Sequence, residues 1–169
     1  MNENLEFEYT VSKKVEGKYR LHRLLMILAY VVFGGAFFFG LALAHLYPLM
    51  AFSVLVEWIA IFFTWRYVSI EYRYETLSGG IKFFTVYGGK TKREDLSLRI
   101  KDFDEIGVYN SEVATRSFNK KYNYLSSENT PDAYYATFKD NNGYECIVLF
   151  EAIDRSLKIF KFYNSNTNF

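Results

Sequence analysis

Glu57 is the one carboxylate in an otherwise uncharged apolar run, Leu24 to Trp65, that contains no Lys, Arg or Asp. An ionised carboxylate in hydrocarbon costs several kcal/mol. Glu57 is therefore expected to be protonated and hydrogen-bonded within the protein, to meet a partner subunit, or to line an ion path. No second ionisable group falls at its depth, which favours the structural and partner-contact readings over proton transport. Nucleophilic chemistry lacks its parts. Cys146 is the only cysteine, so neither an internal disulfide nor a metal-binding pair can form, and it reads as a small core residue. His22 and His45 stand at opposite ends of the first apolar segment, which rules out a shared Ser–His or Cys–His arrangement. His22 alone is free to reach a cytoplasmic site, and nothing marks one. Asp102, Asp104 and Glu105 form an acidic cluster able to hold a cation, but a solvated turn and helix start is the favoured reading. Gly79-Gly80 and Gly88-Gly89 lack the strand-to-helix setting of a phosphate cradle. No catalytic residue, cofactor or metal site is expected, and the chain is read as a non-enzyme. A formal net charge of +1 argues against a nucleic-acid partner, and many of the aromatics that might stack on bases fall in the apolar run or on inward strand faces.

The elements that must position these groups begin with the apolar run itself. As one helix it would be about 63 Å long, twice the roughly 30 Å hydrocarbon core of a bilayer, so it must turn. Pro48 is the expected turning point, dividing a first span Leu24–Tyr47 from a second, Leu49–Trp65. The mean hydropathy of −0.07 averages this oily hairpin with a charged remainder. Ala42-Leu43-Ala44 resembles a signal-peptide cleavage site, but the apolar run before it is long and a second one follows at once. Lys13, Lys14, Lys18, Arg20 and Arg23 precede the first span, and Arg66 and Arg73 follow the second. The connection between the spans has no Lys or Arg, so the positive-inside rule places both termini in the cytoplasm. Tyr19, Tyr47, Trp65 and Tyr67 fall where an aromatic belt would lie. Ala36, Gly40 and Ala44 recur every four residues on one helix face, where small side chains allow close approach of another helix. That helix is either the second span or a partner; with Glu57 these residues form the candidate intramembrane interface.

Three parts follow: an arm over residues 1–23, a transmembrane hairpin over 24–66 and a cytoplasmic domain over 67–169. In the arm, Leu5, Phe7 and Tyr9 alternate with Glu6, Glu8 and Thr10, fitting a short edge strand or an extended tail. After the hairpin, Val68, Ile70, Tyr72 and Tyr74 alternate with polar residues, the period of a half-buried strand. Further strands are expected over Ile81–Tyr87, from about Glu94, over Ile106–Tyr109, over Ala133–Lys139 and over Tyr144–Phe150. The last two are joined by Asp140-Asn141-Asn142-Gly143, a hairpin signal. The stretch Asn110–Asp132 reads as a long loop, with a further strand conceivable at Tyr122–Leu125. Asp154 is expected to cap a closing helix with Leu157, Phe160 and Tyr163 inward and Arg155, Lys158 and Lys161 outward; the tail Asn164–Phe169 is expected to fray.

An antiparallel meander, the connector Lys101-Asp102-Phe103-Asp104-Glu105-Ile106-Gly107-Val108-Tyr109, a further hairpin and an amphipathic helix together resemble a bacterial pleckstrin-homology-like domain attached to two membrane helices. Tyr72 to Tyr74, Gly80, Ile81 to Tyr87 and Lys92-Arg93 match the pattern of an uncharacterised family of small bacterial two-helix membrane proteins. Leu149-Phe150-Glu151 and Lys158 match it again, with Ala152 where the pattern has proline. The resemblance implies an α+β fold, an antiparallel β-domain with a C-terminal helix, and a membrane location, but no activity. Pleckstrin-homology domains that bind phosphoinositides use basic residues around a hairpin, and Lys82, Lys90 and Lys92 loosely imitate that spacing. Glu94 and Asp95 dilute the charge at this tip. The leading expectation is a non-enzymatic adaptor or accessory subunit in the lipid bilayer of the cell membrane, binding a membrane protein partner or itself as a homo-oligomer. An exposed sheet edge or the Asn110–Asp132 loop offers further contact surface. The alternatives are an anionic lipid-headgroup sensor through Lys90, Lys92 and Arg93, and, on Glu57 alone, a small oligomeric transporter.

Overall fold

A computed structural model describes residues 6–127 and 129–169, and Leu5 of the alternating arm lies outside them. It contains two compact units. One is a β-domain formed by residues up to Lys13 with Glu71–Val86 and Lys90–Phe169; the other comprises Lys14–Ile70 with Tyr87–Gly89.

The helical unit holds α1 (Gly17–Leu43) and α2 (Tyr47–Thr64). Their connection is Ala44–Leu46, not Pro48. His45 takes φ 58, its amide donates to the Ala42 carbonyl at 3.0 Å and the Leu46 amide to the Leu41 carbonyl at 2.9 Å. This is a left-handed helix stop of the Schellman type, with histidine where glycine is usual. Pro48 instead sits in the first turn of α2, where its missing N–H would have had no helical partner and its fixed φ suits the helix. No residue of α1 is buried, and in α2 only Ser53 is. The two helices meet along a narrow polar seam. The Tyr30 hydroxyl lies 2.6 Å from Thr64 Oγ1, which itself donates to the Ala60 carbonyl at 2.5 Å. The Ser53 hydroxyl donates to the Met50 carbonyl at 2.7 Å.

The β-domain begins before the helices. Strand β1 (Phe7–Ser12) pairs antiparallel with β2 (Ile70–Leu77), from Phe7 opposite Thr76 to Ser12 opposite Glu71. The arm expected over 1–23 is thus not a separate part. Its alternation builds an edge strand of the sheet, and α1 starts within it at Gly17. Strands β3 (Gly80–Tyr87) and β4 (Thr91–Arg99) complete a four-stranded sheet ordered β1-β2-β3-β4. Ser78 and Gly79, at φ 50 and 81, make the β2–β3 turn, in the both-positive-φ geometry that suits the twist of a two-residue hairpin.

A second sheet has five strands ordered β6-β8-β7-β5-β9: β5 (Glu105–Val108), β6 (Lys120–Asn123), β7 (Ala133–Lys139), β8 (Glu145–Glu151) and β9 (Thr167–Asn168). The presumed loop Asn110–Asp132 contains β6, parallel to β8, and a short helix α3 (Ser111–Thr115) whose N-terminus is capped by Asn110 Oδ1 on the Val113 amide at 3.0 Å. The closing helix α4 (Asp154–Tyr163) is not capped by Asp154. Ile153 is the N-cap, and the Ser156 hydroxyl accepts from its amide at 3.0 Å and donates to its carbonyl at 2.7 Å. Ile159 joins Phe160 as the buried face, while Leu157 and Tyr163 are only half-buried. The tail does not fray. The buried Asn164 side-chain amide donates to the carbonyls of Ile100 and Phe103 at 2.8 and 2.9 Å, and β9 pairs parallel with β5.

The sheets and α4 enclose an aromatic core. Phe83 stacks on Tyr124 with centroids 5.0 Å apart, and Phe150 meets Phe160 edge-on at 5.4 Å. Such pairs add to the area that they bury. The Tyr74 hydroxyl donates to the Tyr124 carbonyl at 2.5 Å, satisfying the polar end of a buried ring.

Candidate functional site

Glu57 is half-buried and packs against Gly34 of α1; any side chain at Gly34 would strike its carboxylate. Ala36, Gly40 and Ala44 are exposed, and nothing lies within 4 Å of a Cβ built at Gly40. The four residues grouped as one intramembrane interface therefore divide. Glu57 belongs to the seam between the helices, and the Ala36–Gly40–Ala44 stripe faces away from α2. A reversal at Pro48 would set Glu57 level with Phe38 to Gly40. Its place at Gly34 follows from the turn, since a reversal centred on His45 rather than Pro48 moves its opposite number on α1 towards the N-terminus.

The basic tip is largely neutralised by the sheet's own acids. Lys92 pairs with Glu75 and lies 3.7 Å from the centroid of the Phe84 ring. Arg93 Nε is 3.1 Å from Asp95, and Lys82 Nζ is 2.9 Å from Glu94. Lys90 is exposed in the β3–β4 turn. This arrangement gives the tip little net positive field.

The acidic cluster is dispersed in the same way. Arg99 Nε donates to Asp102 at 2.8 Å. Glu105 accepts from the Tyr135 hydroxyl at 2.6 Å and from Arg116 at 2.9 Å. The Tyr135 hydrogen bond, with Arg116 behind it, holds the Glu105 carboxyl below its usual range. Burial and the same carboxylate push the Tyr135 phenol up to about 12. Among the described residues no group of three His, Cys, Asp or Glu side chains is placed to hold a metal ion. Cys146 is fully buried in β8 and its thiol is raised by burial, the opposite of what a reactive thiolate needs.

A second set of cations lies at the base of the helix pair, where the sequence reading used them only to orient the chain. Arg23 stands over the Trp65 ring at 5.4 Å and Arg66 over the Tyr67 ring at 5.0 Å, while the Tyr67 and Tyr87 rings are 5.9 Å apart. The Tyr19 hydroxyl donates to the Val68 carbonyl and accepts from the Ile70 amide at 3.3 Å, bolting the foot of α1 to the chain leaving α2. The Gly88 amide donates to the Ser69 carbonyl at 2.8 Å, and a Cβ at Gly88 would come within 2.7 Å of Arg66 Cβ. Glycine there lets the 87–89 turn close on Arg66. Lys14, Lys18 and Arg20 are exposed on the same segment.

A family model described as "Bacterial PH-like domain (DUF6106)" matches residues 3–169, a span that takes in β1, both helices and the rest of the β-domain. No curated protein and no solved structure matches the chain. The chain belongs to this bacterial PH-like domain family.

Proposed function

We propose, with membership of that family as the premise, that the chain is an integral membrane adaptor. In this reading α1 and α2 cross the bilayer as a hairpin, both termini are cytoplasmic, and the PH-like domain is a non-enzymatic module for a protein partner or a second copy. The observation that carries it is uncovered apolar surface. Phe33, Phe39, Leu43 and Trp58 are 75, 67, 83 and 63 % exposed, an arrangement that water penalises by about 25 cal/mol per Å² of apolar area and that lipid does not. A core helix of a soluble protein would bury such residues.

The β1–β2 ladder supports a single-sided topology independently of charge. Ser12, just before α1, pairs with Glu71, just after α2. Both feet of the hairpin therefore lead into one pair of strands, which supports their lying on one face of a bilayer. The cations at those feet support a cytoplasmic location for that face.

The adaptor reading rests on what remains available for contact. The outward Ala36–Gly40–Ala44 face suits close approach of another transmembrane helix, whereas Glu57 is committed to α1. The transporter reading loses its support with that commitment. The headgroup-sensor reading through Lys90, Lys92 and Arg93 weakens because two of those three cations already face carboxylates.

Light scattering of the full chain in mild detergent, with and without a co-purifying partner, tests the reading. A defined oligomer or stoichiometric complex that Gly40→Leu abolishes is the expected result. A monomer without partner, unchanged by Gly40→Leu, contradicts it.

A further inference from the structure

We propose that the base of the helix pair, and not the PH-like hairpin tip, is where this protein binds anionic phospholipid headgroups. The inference rests on the membrane reading above. Its occupant is the phosphate of a lipid in the same leaflet.

Charge accounting separates the two basic regions. At the tip, Lys82, Lys92 and Arg93 each sit beside Glu94, Glu75 and Asp95 respectively. At the helix base, none of Lys14, Lys18, Arg20, Arg23 and Arg66 takes a carboxylate partner among the described residues. Five cations against the single acid of that segment, Glu16, leave a net positive surface that draws an anionic counterpart, while a tip of internal ion pairs offers nearly neutral surface. Each basic residue close to an anionic leaflet attracts it by about fivefold in affinity.

Geometry adds more than charge. Arg23 and Arg66 lie over aromatic rings, and Arg66 Nη2 also donates to the Tyr67 hydroxyl at 3.2 Å, so both guanidinium groups are oriented while their other N–H donors can reach phosphate oxygens. The rings belong to Trp65 and Tyr67, residue types that settle at the headgroup level of a bilayer. Tyr19 fixes the two helix feet together through Val68 and Ile70, and Gly88 lets the 87–89 turn close on the Arg66 backbone. The arginine platform is therefore preorganised rather than a set of loose side chains, which lowers the ordering cost of binding. It is also continuous with the uncovered apolar helices, so a lipid whose chains lie against α1 or α2 brings its phosphate to this level.

The test reads Trp65 directly. Trp58→Phe leaves Trp65 as the only tryptophan, since the chain has two. The full-length variant is reconstituted into phosphatidylcholine bilayers, and brominated phosphatidylglycerol or brominated phosphatidylcholine is titrated in as quencher. The expected result is a preference of fivefold or more for phosphatidylglycerol at low salt, weakened at ~0.5 M salt, where screening shortens to a few ångströms. Arg20→Gln with Arg66→Gln, which leaves Arg23 on Trp65, should bring the two lipids to near parity. Lys92→Gln with Arg93→Gln should leave the preference unchanged. Equal quenching by both lipids in the parent, or a preference lost with the tip pair and kept with the base pair, overturns the inference. Quenching by neither lipid places Trp65 outside the bilayer and overturns the membrane reading itself.

Discussion

Glu105 accepts hydrogen bonds from Tyr135 and Arg116 at once, and so ties β5 to β7 and to the residue that ends α3. Because its carboxyl is held below the usual range in the folded domain, it binds a proton more readily when unfolded. Its stabilising contribution is complete above the ordinary carboxylate pKa of about 4.3 and is lost as pH falls through the lower folded value. Glu105→Gln should therefore flatten the acid limb of the stability profile and cost about 1 kcal/mol at neutral pH, read by urea unfolding followed through the near-UV circular dichroism of the tyrosines. An unaltered acid limb would remove Glu105 as its source. At the alkaline end the signs reverse. Tyr135 is raised to about 12, and Tyr74 and Tyr124 are raised by burial, so stability should hold to about pH 10 and fall as these phenols ionise. Tyr135→Phe should blunt that fall. None of this network was legible from sequence. Glu105 was read with Asp102 and Asp104 because they are neighbours in the chain, whereas its partners are Arg116, just after α3, and Tyr135 of β7.

At the scale of elements, what was legible tracks how local the signal is. The β7–β8 hairpin follows from the turn signal Asp140 to Gly143 between two apolar-rich runs, and it stands almost as read. Strand β6 carries one apolar side chain, Tyr122, and gains its place only by pairing with β8, so no periodicity announced it. The tail was expected to fray because it is short and polar. It is held by a buried amide that satisfies two distant carbonyls, and polar composition does not reveal such partners. Asn164→Ala should leave those carbonyls unsatisfied and cost about 2–4 kcal/mol, with faster amide exchange over Thr167–Asn168. A cost under about 0.5 kcal/mol would mean that the tail is not anchored there. In the helix pair, the small-residue stripe was legible but its direction was not. Each residue turns a helix face by about 100°, and moving the reversal from Pro48 to His45 re-aims every contact. Gly34→Leu and Gly40→Leu should therefore differ. The first should turn the Glu57 carboxylate out of its place against α1 and lower helix-pair stability, while the second should leave the pair intact and change only its association. Thermal unfolding in detergent beside light scattering separates them, and equal thermal losses would contradict the seam assigned to Gly34.

At the scale of the whole molecule, the PH-like fold and the hairpin are not two modules in series. The chain builds one strand of the first sheet, leaves for α1 and α2, and returns to pair with that strand along β2. Hydropathy changes after Arg23 and Arg66, which suggests boundaries there, and hydropathy is blind to a ladder closing across an insertion. The central claim is that this insertion crosses a bilayer with both feet on one side. In a Cys146→Ser background, single cysteines at His45→Cys, in the α1–α2 turn, and Asn142→Cys, in the β7–β8 turn, are exposed to a membrane-impermeant maleimide on intact cells and after lysis. The account predicts that His45→Cys labels on intact cells and Asn142→Cys only after lysis. Labelling of both from the same side, or recovery of the protein in the soluble fraction, would contradict it.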